Sequence, residues 1–263
     1  EENLLPAREK IHKLFMDNVM EQAPGYSKLK ELVADDIIPT PTGVINTLQI
    51  ISKSTSKNVM SVDIGGATTD IFSNIEGSYF RTVSANYGMS YSISNVMKEA
   101  GFEEVIKWLP TDIDQDYVRN YIANKMLYPT FVPKDETQII IEQAIAREAI
   151  KMSKVQHLNM NFNKKNIGFL EKAKTKDIEK IVEAFYFEKE AEKKKFHMYD
   201  IDIMIGAGGA VSHAESPKQA LAIIADGFGP QGITEIWRDP DFISPHLGKL
   251  SNVDESLAEK LIN

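Results

Sequence analysis

An apolar stretch from Val59 to Val62 runs into Asp63-Ile64-Gly65-Gly66-Ala67-Thr68-Thr69-Asp70, and a second apolar stretch opens at Ile71. Adjacent glycines carry no Cβ to keep an anion off the backbone, so successive N–H groups at such a turn can point at phosphate oxygens. Thr68 and Thr69 add hydroxyl donors. The Asp63 carboxylate would repel a phosphate unless a hard cation stood between them, and magnesium held through water meets that need. A bare Asp-x-Gly-Gly also fits a plain hairpin whose glycines serve only the turn. An aspartate, two glycines, two threonines and Asp70 between two strands make a more specific pattern.

A second glycine cluster lies far downstream. Tyr199 to Ile205 reads as a strand and meets Gly206-Ala207-Gly208-Gly209-Ala210, where a ligand could lie flat against the backbone beside a helix start. The spacing is not the dinucleotide fingerprint, which needs a wider final interval and an acidic ribose partner. Taken together, one turn suits phosphates and the other a nucleoside. Ser212 and His213 follow directly. Neighbours in sequence rarely form a catalytic dyad, which is defined by spatial roles, so a helix-entry or base-edge role is expected for both. His157 reads as a surface or interface histidine near a helix end, without ligand-spaced partners, and His246 as a buried loop histidine.

The elements that must position these turns follow from periodicity. Pro6 to Gln22 has a helical apolar stripe stopped by Ala23-Pro24-Gly25, and Ser27 to Ala34 suits another helical piece. Pro39-Thr40-Pro41-Thr42-Gly43 reads as a break before a helical face at Val44, Ile45, Leu48 and Ile51, with Lys53 to Asn58 a polar loop. Gly77 ends the second strand and Tyr79 to Ser84 forms a third, which predicts an antiparallel meander. Tyr91 to Ala100 and Glu103 to Leu109 look helical. From Thr111 to Lys195 the chain is rich in helix formers and charge, without a strand. Within it, Asp116 to Leu127 is amphipathic, Asp135 and Gln138 suggest a capping box for a long helix, and Glu188 to Lys195 is a charge run. Ser216-Pro217 starts a further helix with Gly227 as its stop. Gly232 to Trp237 is a short strand, Pro245 to Leu250 a loop or turn, and Asp254 to Ile262 a last helix.

The 263 residues suffice for one large domain or two modest ones. The absence of cysteine excludes disulfides, thiolate metal sites and thiol nucleophiles. Glu1 to Lys13 is charged and reads as an amphipathic helix, so a signal peptide is not expected. No apolar run approaches the roughly 20 residues of a membrane span. A net charge of −8 speaks against a nucleic-acid coat. The expected setting is cytoplasmic, without a membrane or nucleic-acid partner.

Three antiparallel strands, a helix, a helical segment, then strand, helix, strand and helix resembles a ribonuclease-H-like lobe of the actin-like ATPase superfamily, which includes actin, heat-shock chaperone ATPases and sugar kinases. The resemblance implies an α/β fold with a mixed five-stranded sheet and a large helical insertion. Asp63 to Asp70 resembles that superfamily's phosphate loop, and Met204-Ile205-Gly206-Ala207-Gly208-Gly209-Ala210 its adenosine loop. Ile37 to Val44 resembles its connecting helix start, with Thr40 where the chaperones carry an acidic residue.

A closer resemblance, over nearly the whole chain, is to the glutamate mutase accessory proteins of the MutL (GlmL) family, which are unrelated to the mismatch-repair protein of that name. It rests on Ala7 to Ile11, Ala23 to Tyr26, Pro39 to Pro41, Val62 to Asp70, Arg81 to Val83, Ala146 to Ala149, and the tail from Asp226 through Pro230 to Thr234 and Pro245 to Gly248. It implies ATP-linked maintenance or reactivation of an adenosylcobalamin-dependent amino-acid mutase. By the same resemblance Asp63 and Asp70 are the catalytic carboxylates, with Asp63 organising magnesium through water. Gly65, Gly66, Ala67, Thr68 and Thr69 hold the phosphates of ATP, and Gly206, Ala207, Gly208 and Gly209 receive its adenosine.

The superfamily's first lobe brings its own Asp-x-Gly loop, and no second such loop occurs here. The chain is therefore expected to be mainly the second lobe of a longer protein, hydrolysing little by itself and needing the missing N-terminal lobe. Residues 1–58 would form a helical crossover segment and 59–263 the nucleotide-binding lobe, with the helical insertion at about 111–195. Two other classes stay open: a small-molecule kinase of the same superfamily, and a non-catalytic assembly or docking module.

Overall fold

The computed structural model describes residues 37–161 and 196–262, with a few isolated positions before residue 34. The helical stretches expected at Pro6–Gln22 and Ser27–Ala34 lie mostly outside the described residues, and the charge run Glu188–Lys195 wholly so.

The expected break at Pro39–Gly43 is instead the start of helix α1 (Thr40–Thr55), with Pro39 at the N-cap and a proline in the first turn. Proline is harmless there because the first-turn amides have no helical partner in any case. The helix runs three residues into the stretch read as a polar loop and ends at Ser56, which has φ 56°.

Strands β1 (Val59–Ile64), β2 (Thr69–Ile75) and β3 (Ser78–Ser84) form the expected antiparallel meander. Glu76 and Gly77, both at positive φ, make the tight turn between the last two. After the helical region come β4 (Ile203–Gly208) and β5 (Glu235–Arg238), both added in parallel. The order is β3-β2-β1-β4-β5, a mixed five-stranded sheet consistent with an actin-like lobe. Strand β4 begins later than expected, because Met198–Asp200 forms a 3₁₀ turn, and it runs on through the glycines. Strand β5 likewise begins at Glu235 rather than Gly232.

Successive residues of a strand face opposite sides. Met60, Val62, Ile64, Ile71 and Met204 join the larger core. It is covered by α2 (Ile93–Ala100), α3 (Phe102–Ile106), α4 (Gln115–Leu127), α5 (Glu136–Asn161) and α7 (Pro217–Phe228). Val59, Phe72, Ile203 and Ile205 face the other way, onto Val44, Ile45, Leu48 and Ile51 of α1. There α1 packs against α8 (Ser244–Leu250) and α9 (Glu255–Ile262). A Cβ on Gly248 would stand 1.8 Å from the Gly43 carbonyl oxygen, so backbone meets backbone where α1 and α8 touch.

The Asp135 carboxylate accepts from the Gln138 amide at 2.9 Å, and the Gln138 side chain accepts from the Lys134 amide at 2.9 Å, a capping arrangement close to the one expected for α5. Helix α7 has the Ser216–Gln219 capping box but stops at Gly229 (φ 57°), not Gly227. Gly227 is glycine for packing: its Cβ would lie 2.6 Å from that of Ile150 on α5. Residues 245–250, read as a loop, are helical within α8, and His246 is exposed on it rather than buried.

Candidate functional site

In the parallel β1–β4 pair, Asp63 lies beside Ala207 and Ile64 beside Gly208. The two glycine turns, far apart in sequence, therefore leave the sheet side by side at one end.

In the first turn the Gly65 amide donates to the Thr68 carbonyl at 2.9 Å and closes the β1–β2 hairpin. The remaining carbonyls are tied to the segment before α2. Gly65 accepts from the Met89 amide at 3.0 Å, and Gly66 accepts from the amides of Ser90 at 2.8 Å and Tyr91 at 3.1 Å. Ala67 accepts from the Ser92 hydroxyl at 2.9 Å. Gly88 makes room for this, since a Cβ there would stand 2.3 Å from the Ala67 carbonyl carbon. Every acceptor from Gly65 to Thr68 is thus engaged, while the amides of Gly66, Ala67 and Thr68 have no hydrogen-bond partner among the described residues. Gly66 and Ala67 are exposed and Thr68 is half-buried. A run of bare donors with its acceptors spent has the chemistry to receive an anion.

Thr69, by contrast, is fully buried, and its hydroxyl donates to the Tyr87 carbonyl at 2.6 Å, bracing the turn from behind.

Asp63 and Asp70 are directly opposite across β1 and β2, on the face shared with Val59 and Phe72. Arg81 on β3 donates from Nη2 to Asp70 Oδ2 at 2.8 Å. The other carboxylate oxygen, Asp70 Oδ1, and Arg81 Nε are buried with no partner among the described residues. Burial raises the Asp70 pKa, with the Arg81 charge working against it. The Asp63 carboxyl is pushed up to about 6, first by burial, then by the negative charges of Asp70 and Asp239, against the pull of Arg81.

Asp239 follows β5, and its amide donates to the Gly206 carbonyl at 2.9 Å. Its carboxylate accepts from the Ile243 amide at 2.9 Å, the Ser244 amide at 2.8 Å and the Ser244 hydroxyl at 2.6 Å, so it is occupied in capping α8. Sequence reasoning missed Arg81 and Asp239 as parts of this cluster. The available signals were an arginine inside a strand, which must pair with something, and Asp239-Pro240 directly after the last strand. Among the described residues no group of three or more histidine, aspartate or glutamate side chains is placed to hold a metal ion.

In the second turn the four expected residues divide. Gly206 and Ala207 are buried within β4, and the missing Cβ of Gly206 admits Ile224, whose Cγ1 would be 2.4 Å from it. Gly208 has φ +95° and a Cβ there would stand 2.2 Å from the Ile64 carbonyl oxygen. Only Gly209, which opens the short helix α6 (Gly209–Ser212), is exposed with free space where a Cβ would go. Ser212 donates to the Asp239 carbonyl at 2.9 Å, and the exposed His213 ring lies with Nδ1 3.2 Å from the Gly209 carbonyl.

His157 is a correction: it is fully buried, not at the surface. Its Nε2 is 2.8 Å from the Ser73 hydroxyl and its Nδ1 2.9 Å from that of Thr82. Burial lowers its pKa to about 3, so it is neutral. Among the described residues no helix is long and apolar enough to cross a membrane.

A family model described as "MutL protein" matches residues 1–263, the whole chain. A curated relative, "Protein MutL" of Clostridium tetanomorphum, is 26% identical over a region covering 83% of this chain and 47% of that protein. The chain thus spans about half the length of this relative.

Proposed function

The chain belongs to the MutL family, and from that premise we propose that it is the ATP-binding lobe of an accessory ATPase serving an adenosylcobalamin-dependent amino-acid mutase. The observation that carries the nucleotide reading is the set of unpartnered amides at Gly66, Ala67 and Thr68 beside the open Gly209 turn. Phosphate oxygens would be received by those three amides, with the Thr68 hydroxyl as a further donor. Thr69 holds the turn in shape. The nucleoside would lie against Gly209, while Gly206, Ala207 and Gly208 set the close approach of β4 to its neighbours.

The fit of a cation rests on Asp63 and Asp70, which press negative charge into a half-closed site with one buried oxygen unsatisfied. Magnesium bound through water to Asp63 would neutralise that charge and the phosphates together, in keeping with its preference for few carboxylates and several waters. Arg81 fixes Asp70 at the back of the site. In the longer protein a second lobe would close on the nucleotide, and hydrolysis would bias the angle between lobes. That motion would open a damaged mutase so that inactive cobalamin exchanges for an intact cofactor.

Calorimetry with magnesium-ATP tests the site. Binding to this chain that weakens at least about tenfold in a folded Asp63→Asn variant supports the reading, as expected for loss of a charge-assisted interaction. Binding of equal strength in the variant, or none to the native chain, contradicts it.

A further inference from the structure

We propose that His213 reads the base edge of the nucleotide and selects a 6-amino purine over a 6-oxo purine, an inference that rests on the nucleotide reading above. His213 is exposed, follows the last residue of α6 and lies four residues after Gly209, so ring and open turn share one side of that helical turn. A carbonyl oxygen can only accept, so the contact with Gly209 makes Nδ1 the protonated nitrogen. In the neutral ring Nε2 is then an acceptor, and it has no partner among the described residues.

Two polar side chains nearby are committed. The Ser212 hydroxyl donates to the Asp239 carbonyl, and the Asp239 carboxylate is taken by Ile243 and Ser244. The ring thus offers one lone pair beside the only part of the second turn that is open. An exocyclic amino group satisfies that lone pair, whereas the carbonyl at the same position of guanine or hypoxanthine meets it acceptor to acceptor. A site built to accept a hydrogen rejects the analogue that lacks one.

The test compares the triphosphates of adenosine and inosine, whose bases present an amino group and a carbonyl at position 6, each with magnesium. Both are titrated into the native chain and into His213→Phe, which keeps a flat ring without nitrogens at an exposed position. The native chain is expected to prefer the adenosine form by roughly five- to tenfold, the range of one neutral hydrogen bond, and the variant to bind both alike. Equal binding by the native chain, or a preference that survives in the variant, overturns the role of His213 and leaves the nucleotide lobe standing. Failure of the native chain to bind either compound overturns the nucleotide reading and this inference with it.

Discussion

At Asp63 the chain carries a cost that its fold does not need. Burial and two like charges raise the carboxyl to about 6, so at pH 7.5 the folded protein holds an anion that is easier to form in the unfolded chain. The sign follows: stability from this group is greatest below its ordinary pKa near 4 and declines as pH rises to about 6. Asp63→Asn is therefore expected to raise unfolding stability at pH 7.5 by on the order of 1–3 kcal/mol in urea melts, while weakening magnesium-ATP. A variant that gains stability and loses binding would mark Asp63 as a residue that serves the site at the expense of the fold.

The glycines divide differently. Gly208→Ala must place a Cβ against the Ile64 backbone at φ +95°, and a loss of roughly 2–4 kcal/mol is expected. Gly209→Ala meets open space and should change stability by less than about 0.5 kcal/mol. Thermal melts of the two variants separate these outcomes. The sequence showed a glycine cluster after a strand, but which glycine is open and which faces protein depends on β1, remote in the chain, and on the packing of α7.

Among the elements, the meander of β1, β2 and β3 was legible because each strand is short, apolar and bounded by turn residues. Helices α4, α7 and α9 were legible from their periodicity. Helix α8 was not, since Pro245 and Gly248 read as loop residues until the contact of Gly248 with Gly43 explains them. Helix α5 was legible too, but its buried face was not. His157 looked like an exposed residue near a helix end, and it is buried because β2 and β3 turn Ser73 and Thr82 toward it. Strand register is a long-range property that local spacing does not disclose.

A pH dependence follows from this packing. The folded-state pKa of His157 is about 3, against 6.5 ordinarily, so the unfolded chain takes up the proton first. The contribution of His157 is intact above about pH 6.5 and is lost as pH falls toward 3. About 2–3 kcal/mol should disappear between pH 6.5 and 4.5. A His157→Gln variant should show a shallower decline over that interval when both proteins are unfolded in urea at each pH. Parallel curves would contradict the assignment.

For the whole molecule, the sheet order β3-β2-β1-β4-β5 places both glycine turns at one end, and each half of the site comes from a different part of the sequence. Motif spacing identified both turns, and family resemblance joined them. Neither could show that the carbonyls of Gly65, Gly66 and Ala67 are taken by residues 89–92 while the amides of Gly66, Ala67 and Thr68 stay bare. That feature bears the central claim, and amide chemical shifts of the labelled chain test it most directly. Addition of magnesium-ATP is expected to move the Gly66, Ala67 and Thr68 amide protons downfield, with smaller changes at Gly209 and His213. Unchanged shifts at those three amides, while others in the chain move, would place the nucleotide elsewhere and contradict the account.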